Sequence, residues 1–316
     1  MGAATSRALA LTQPGIPNTY ALSTTCYGNR LRTIGDQAFA AVAMGFRKLE
    51  IGLSDQPVPL NGFEDSRRET GVAVGSVVAG CLDPRSENQS GTKLGSLDED
   101  LRERALNSLR RHIRLAHHYG CNRVVIRGCE VENNELFEEA RALHARYLEE
   151  GPEEPIQEEI CAFVGRLQKK SHRQIEHFCR SLHTLLSEFP TIELAIEPGA
   201  GLIDLVNFES TGWILDDLSK QGLGYWHDTG RVQRREGAGL PPQGKWLDTY
   251  GDRMLGVHLQ DCVGEEVELP PGSGEVDFKL ISEYLPTGAD RVLEIKPRHG
   301  RAEILSAVQY LVDLGF

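Results

Sequence analysis

Four residues able to ligate a metal stand at the C-terminal ends of four successive strand-like runs. They are Glu197 after ELAI, Asp228 after LGYWH, His258 in MLGVHL and Glu294 in RVLEI. In a ring of parallel strands only the C-terminal ends converge on a common mouth, so residues about 30 apart in sequence can meet there. Three carboxylates and one imidazole suit one divalent ion. An oxygen-rich set with a single nitrogen and no thiolate favours Mn²⁺ or Mg²⁺ and also accommodates Co²⁺, Fe²⁺ or Zn²⁺.

The elements needed to present such a set are legible in the patterning. After a Pro/Gly-containing leader (residues 1–19), expected to be poorly ordered, short β-rich runs alternate with longer segments of helical periodicity. That alternation predicts parallel strands joined by crossover helices. Eight strands are drawn, beginning near Tyr20, Phe46, Val72, Asn122, Ile192, Leu223, Met254 and Arg291. Between them helices are expected over Thr33 to Met44, Asp98 to Tyr119 and Gln157 to Phe189. In the second, Leu101, Ala105, Leu109, Ile113 and Ala116 recur at spacings of three and four. Asp98 reads as its N-cap, and Tyr119-Gly120 as a glycine-terminated stop. The expectation is therefore an α/β protein, one (β/α)₈ TIM barrel over residues 20–316. Two stretches break the even spacing on the side where active-site loops grow. The acidic segment Glu130 to Glu159 either extends the fourth helix, forms a lid or is a solvated charged helix, and Gly80 to Gly95 reads as a long substrate loop.

Bulk properties narrow the partners. Against 34 basic residues stand 46 acidic ones, a formal charge of −12 that repels a polyanion, so nucleic acid is not expected. Seven cysteines without a C-x-x-C pair indicate neither a disulfide framework nor a zinc ribbon, and fit a reducing cytoplasm. No run of about 18 apolar residues is present, so no membrane association is expected. The opening Met1-Gly2-Ala3-Ala4-Thr5-Ser6 matches only a loose N-myristoylation pattern. A small-molecule substrate is left as the expected partner.

Several further motifs stand in order along the chain. They are Lys48-Leu49-Glu50-Ile51, Glu197 in AIEP, Trp226-His227-Asp228-Thr229-Gly230, His258-Leu259-Gln260-Asp261, Gly272-Ser273-Gly274-Glu275-Val276-Asp277 and Leu293-Glu294. Together, over roughly Tyr20 to Leu314, the chain resembles the xylose isomerase-like barrels of the sugar phosphate isomerase/epimerase group. That group also includes inosose dehydratases, tagatose-type 3-epimerases and endonuclease IV. The resemblance implies that Glu197, Asp228, His258 and Glu294 hold the metal and that Glu197 and Glu294 move protons. An ion bound by vicinal oxygens of a hydroxy-ketone would acidify the neighbouring C–H bond and stabilise an enediolate. Two carboxylates on opposite faces then epimerise, whereas a single base isomerises or, with a β-leaving hydroxyl, dehydrates. Relatives form homodimers or homotetramers. The extra histidines of the trinuclear endonuclease site are missing here, since strands three and four end in VVAGC and VIRGC.

The departures from that pattern bear on the substrate. The usual Asp-Thr-Gly-His is here Asp228-Thr229-Gly230-Arg231. Arg231, Arg127 at the end of strand four and Lys296 two residues past Glu294 place cations at the mouth, where they either meet a carboxylate or phosphate on the substrate or balance the acidic cluster. Glu50 is either a mouth carboxylate or an ion-pair partner of Arg127 or Lys296. Asp261 either orients His258 or touches substrate. His227, beside Asp228, should point outward and pack against a helix, and Tyr225 and Trp226 read as wall or core. The expected function is a metal-dependent isomerase or epimerase on a keto-sugar, polyol or related hydroxy-carbonyl compound. The alternatives are a lyase or dehydratase on an acidic substrate and a non-catalytic barrel subunit of a biosynthetic complex.

Overall fold

The computed structural model of the protein describes residues 15–54, 56–83 and 93–316. Most of the expected leader, residues 1–14, and the middle of the expected substrate loop, residues 84–92, lie outside them. The strands are β1 (Tyr20–Ser23), β2 (Lys48–Ile51), β3 (Ala73–Val78), β4 (Arg123–Arg127), β5 (Glu193–Glu197), β6 (Gly224–Asp228), β7 (Met254–Leu259), β8 (Asp261–Val263), β9 (Glu266–Leu269) and β10 (Asp290–Leu293). Eight of them close a parallel barrel in the order β1-β10-β7-β6-β5-β4-β3-β2, and β8 and β9 form a separate antiparallel hairpin. The eight barrel strands match the eight drawn from sequence; the hairpin was not foreseen.

Helices α1 (Ile34–Met44), α2 (Phe63–Thr70), α3 (Glu99–His118), α4 (Asn134–Glu150), α5 (Glu154–Lys170), α6 (His172–Glu188), α7 (Phe208–Asp217), α8 (Thr229–Gly237), α9 (Gln243–Tyr250), α10 (Phe278–Tyr284) and α11 (Arg301–Asp313) connect the strands. The predicted limits of α3 hold for local reasons. Asp98 accepts a hydrogen bond from the Leu101 amide at 3.1 Å, and Gly120 takes up a left-handed φ of 72°. The single helix expected over Gln157 to Phe189 is instead two, α5 and α6, broken at Ser171, whose φ and ψ of −103° and 11° leave the helical basin. No glycine or proline marks that break. The acidic segment supplies α4, packed against α5, and the first residues of α5.

Strand alternation sorts the barrel interior into three layers. At the N-terminal end Lys48, Arg123, Glu193 and Asp290 meet across the lumen, with Arg123 bonded to Glu193 at 2.8 Å and to Asp290 at 2.7 Å and Lys48 3.3 Å from Asp290. Two residues further along β4, β5 and β10, Val125, Ala195 and Val292 join Ala21, Val78 and Trp226 in a separate apolar plug. Its small members leave room for the indole. Gly256 is part of that fit, since a Cβ there would stand 2.4 Å from the Trp226 ring. Alternate residues such as Leu49, Ile126, Leu194, Ile196, Tyr225 and Val257 face outward and pack with the helices in the main core. Two residues beyond Val125, Ala195, Trp226 and Val292 lies the third layer, which Glu50 joins from two residues past Lys48.

Candidate metal centre

The third layer holds Glu50, Arg127, Glu197, Asp228, His258 and Glu294. Register brings them level: Arg127 pairs with Glu197 across β4 and β5, and Asp228 with His258 across β6 and β7. All four carboxylates and the imidazole are fully buried. Within the layer, one ligand atom from each of Glu197, Asp228, His258 and Glu294 can be chosen so that all lie within 4.8 Å of one another. One oxygen of Glu294, Oε1, is buried without a hydrogen-bond partner.

The rest of the cluster is densely bonded. His258 Nδ1 lies 2.9 Å from Glu197 Oε1 and 3.7 Å from Glu294 Oε2, and Nε2 lies 3.0 Å from Glu50 Oε2. Arg127 donates to Glu197 at 2.7 Å and to Glu294 at 2.5 Å. Arg231 lies 3.3 Å from both Glu197 and Asp228. Asp228 also caps α8, accepting from the Arg231 amide at 2.9 Å, and receives Gln260 Nε2 at 2.9 Å. The Ser76 hydroxyl donates to Glu50 at 2.8 Å. Below them the Trp226 ring lies 5.2 Å from that of His258 and floors the site.

Electrostatics follow from this packing. Burial raises the pKa of Glu197, but Arg127, Arg231 and His258 outweigh it and hold the carboxyl well below its ordinary range. Glu294 is likewise depressed, burial being overcome first by Arg127. Asp228 goes the other way: burial, helped by the negative charge of Glu197, pushes it up to about 8 despite Arg231. His258 is desolvated yet raised well above the usual imidazole value by Glu50, Glu294 and Glu197. Four carboxylates against two guanidiniums leave two uncompensated negative charges, which either two protons or one divalent cation would neutralise. Donor chemistry, convergence and the unpartnered Glu294 oxygen all fit an oxygen-preferring divalent ion.

Not every residue expected at the mouth comes to this cluster. Lys296 does not: β10 ends at Leu293, so strand alternation no longer governs the segment, and the ammonium pairs with Glu266 on the hairpin at 3.1 Å. Asp261 does not touch His258. It lies past the end of β7 and accepts the amides of Cys262, Gly272, Gly274 and Val276 at 2.8–3.0 Å, ordering the loop that bears the Gly-Ser-Gly motif. A Cβ on Gly274 would collide with that carboxylate at 2.5 Å. Glu50 pairs with His258 rather than with either expected cation, while Arg127 and Arg231 are paired with the acidic cluster. His227 points outward between Tyr225 and Gln243, 2.7 Å from each.

Three contributors escaped the sequence reading. Ser76 shares the inward phase of Val78 and was accessible to the same period-2 reasoning. Gln260 has no such signal, because its side chain reaches Asp228 only through the turn from β7 into the hairpin. His112 on α3 accepts the Gly80 and Leu82 amides at 3.0 and 3.2 Å and anchors the start of the loop after β3.

A family model for the xylose isomerase-like TIM barrel matches residues 38–312. No curated protein sequence matches the chain. Among solved structures it is similar to a 3-keto-D-glucoside 4-epimerase from E. coli, with 15% identity over 94% of this chain and 100% of that one and a TM-score of 0.65. A D-tagatose 3-epimerase-like protein aligns at 16% identity over 93% and 96% of the two chains, with a TM-score of 0.64. Endonuclease IV from Thermus thermophilus aligns at 17% identity over 93% and 98%, with a TM-score of 0.54. At these identities the structural likeness speaks to the fold, and the family match over most of the chain speaks to descent. With a closed eight-stranded barrel and an acidic cluster at its C-terminal mouth, this chain belongs to the xylose isomerase-like TIM barrel family.

Proposed function

We propose that the protein is a divalent-metal-dependent isomerase or epimerase acting on a keto-sugar, polyol or related hydroxy-carbonyl compound. The observation that carries this reading is the convergence of Glu197, Asp228, His258 and Glu294 in one buried layer, with the two proton-transfer candidates on different strands of the mouth. These four residues would hold the ion, Mn²⁺ or Mg²⁺ by donor preference, with Co²⁺, Fe²⁺ or Zn²⁺ also accommodated. When bound, such an ion supplies Lewis acidity toward the oxygens of a hydroxy-carbonyl substrate. Glu197 and Glu294, both held ionised by their cationic neighbours, accept a proton from the carbon beside the carbonyl. If one carboxylate takes the proton and the other returns one to the opposite face, the centre inverts. If the same carboxylate returns the proton to the former carbonyl carbon, while the proton of the neighbouring hydroxyl passes to the old carbonyl oxygen, the carbonyl moves. Arg127 spans the pair and keeps their oxygens at a set separation. Trp226 and the apolar layer close the floor to water.

A second reading, a lyase or dehydratase on an acidic substrate, has one observation in its favour. Within the cluster only the side chains of Arg127 and Arg231 reach solvent, at 12% and 11%, so an incoming molecule first meets positive charge. Removal of a β-hydroxyl would then follow the same proton abstraction.

The test is elemental analysis of the purified protein and of His258→Ala, followed by proton exchange into keto-sugars and sugar acids in D₂O. About one equivalent of metal, lost in the variant, together with deuterium at the carbon beside the carbonyl is expected. Absence of metal and of exchange would leave the barrel as a non-catalytic subunit.

A further inference from the structure

Beside the metal cluster, and sharing no lining residue with it, lies a cavity of about 230 Å³. Its walls come from α4, α5, the turn after β5, α8 and the β8–β9 hairpin. Phe137, Tyr147, Ile160, Leu202 and Ile203 make the lining mainly apolar. Into this surface are set three guanidiniums, Arg141, Arg234 and Arg235, against the single carboxylate of Glu265. Glu265 is itself engaged by His144 at 2.9 Å and lies 3.9 Å from Arg234, while Arg141 pairs with Glu138 at 2.6 Å. Arg235 has no such partner. It is only 4% exposed, its Nη1 donates to the carbonyls of Gly199 and Gly201 at 3.2 and 3.0 Å, and its Nε is buried without any acceptor. It makes no ion pair among the described residues. Asp204 attracts it electrostatically without bonding to it, and instead accepts the Gly201 amide at 2.6 Å.

A buried guanidinium with an unused donor carries a large desolvation penalty unless an anion completes it. Apolar walls around a convergent cationic group are the pattern of a small-molecule pocket, and the volume lies below the ~300–1,000 Å³ of drug-sized sites, so the occupant is small. We propose that this cavity is a second binding site, for a small organic anion with an apolar body, its carboxylate toward Arg235 and its body between Phe137, Tyr147 and Leu202. The site is close to the metal cluster along the chain. Arg235 lies one helical turn beyond Arg231, and the lining turn starts three residues after Glu197. Binding here does not depend on which reaction the metal cluster carries out.

Titration calorimetry of the full-length, metal-loaded protein with 3-phenylpropionate and with its neutral amide tests it. The acid is expected to bind saturably at one equivalent and at least tenfold more tightly than the amide. Ala140→Trp fills the cavity, and Phe137→Asp, at a position 47% exposed, sets a negative charge at its rim. Each should weaken the acid at least tenfold with metal content unchanged. No saturable binding, equal binding of acid and amide, or undiminished binding of the acid to Phe137→Asp overturns the proposal. The last outcome also covers a carboxylate captured by the metal centre. Phe137→Asp keeps the test decisive if the tryptophan variant does not fold.

Discussion

Within the mouth layer, each side chain owes its state to its neighbours more than to its type. Glu197 and Glu294 are depressed by shared contact with Arg127, whereas Asp228, equally buried, is raised because its cationic neighbour does not offset burial and the charge on Glu197. Glu197→Gln and Glu294→Gln should therefore each lower proton exchange into substrate by about 10²–10⁴-fold, the usual contribution of a positioned acid or base, measured by deuterium incorporation. Unchanged exchange in either variant removes the proton-transfer assignment. Arg231→His should alter substrate preference more than metal affinity, because Arg231 is partly exposed and touches the proposed ligands Glu197 and Asp228 without being in that set. Comparing kcat/KM for neutral and anionic substrates, alongside metal titration, distinguishes the two effects. A drop in metal affinity with preference unchanged would count against it.

At the scale of single elements, the turn after β5 carries a stability signature of its own. Asp204 is buried there, and burial lifts its carboxyl to about 6 even though it accepts the Gly201 amide and lies near Arg235. A folded-state pKa above the unfolded value means that the native state binds the proton more tightly. The associated stability is complete below about pH 4 and is lost as the pH rises through about 6. Asp204→Asn keeps an acceptor for Gly201 and has no charge to bury. Relative to the parent it should be near neutral at pH 4 and up to about 3 kcal/mol more stable at pH 7, since each tenfold difference in proton affinity between the folded and unfolded states is worth about 1.4 kcal/mol. Denaturant midpoints across that range check it, and a pH-independent difference would contradict it.

For the whole molecule, the barrel works as a stack in which an ionic base and an apolar plug support the functional layer. Gly256 and Trp226 show how tightly that stack is built. Gly256→Ala would bring a methyl within 2.4 Å of the indole unless the ring moves, and the ring also packs on His258. Overpacking of this kind costs about 1–3 kcal/mol. The variant should therefore melt at a lower temperature and also bind metal more weakly, which a thermal-shift titration with Mn²⁺ would reveal. A normal melting point with normal metal affinity would mean that the plug yields without disturbing the layer above it. Among the described residues no helix is long and apolar enough to cross a membrane.

The sequence alone determined the barrel strands, the N-cap and stop of α3, and the inward phase of Glu197, Asp228, His258 and Glu294. These rest on local periodicity and on alternation along a strand, which survive without knowledge of neighbours. Tertiary structure decided what alternation cannot reach. Lys296 and Asp261 lie beyond the ends of the barrel strands β10 and β7, and their directions come from the β8–β9 hairpin and the Gly272–Val276 loop. The break at Ser171 falls within the polar run Gln168 to Gln174, which holds no glycine or proline to signal a stop, and Arg235 lies without an ion pair among the described residues because helices and a turn distant in sequence enclose it. Glu50 found His258 across the barrel, 208 residues away in the chain, a pairing that only the closed ring of strands could make.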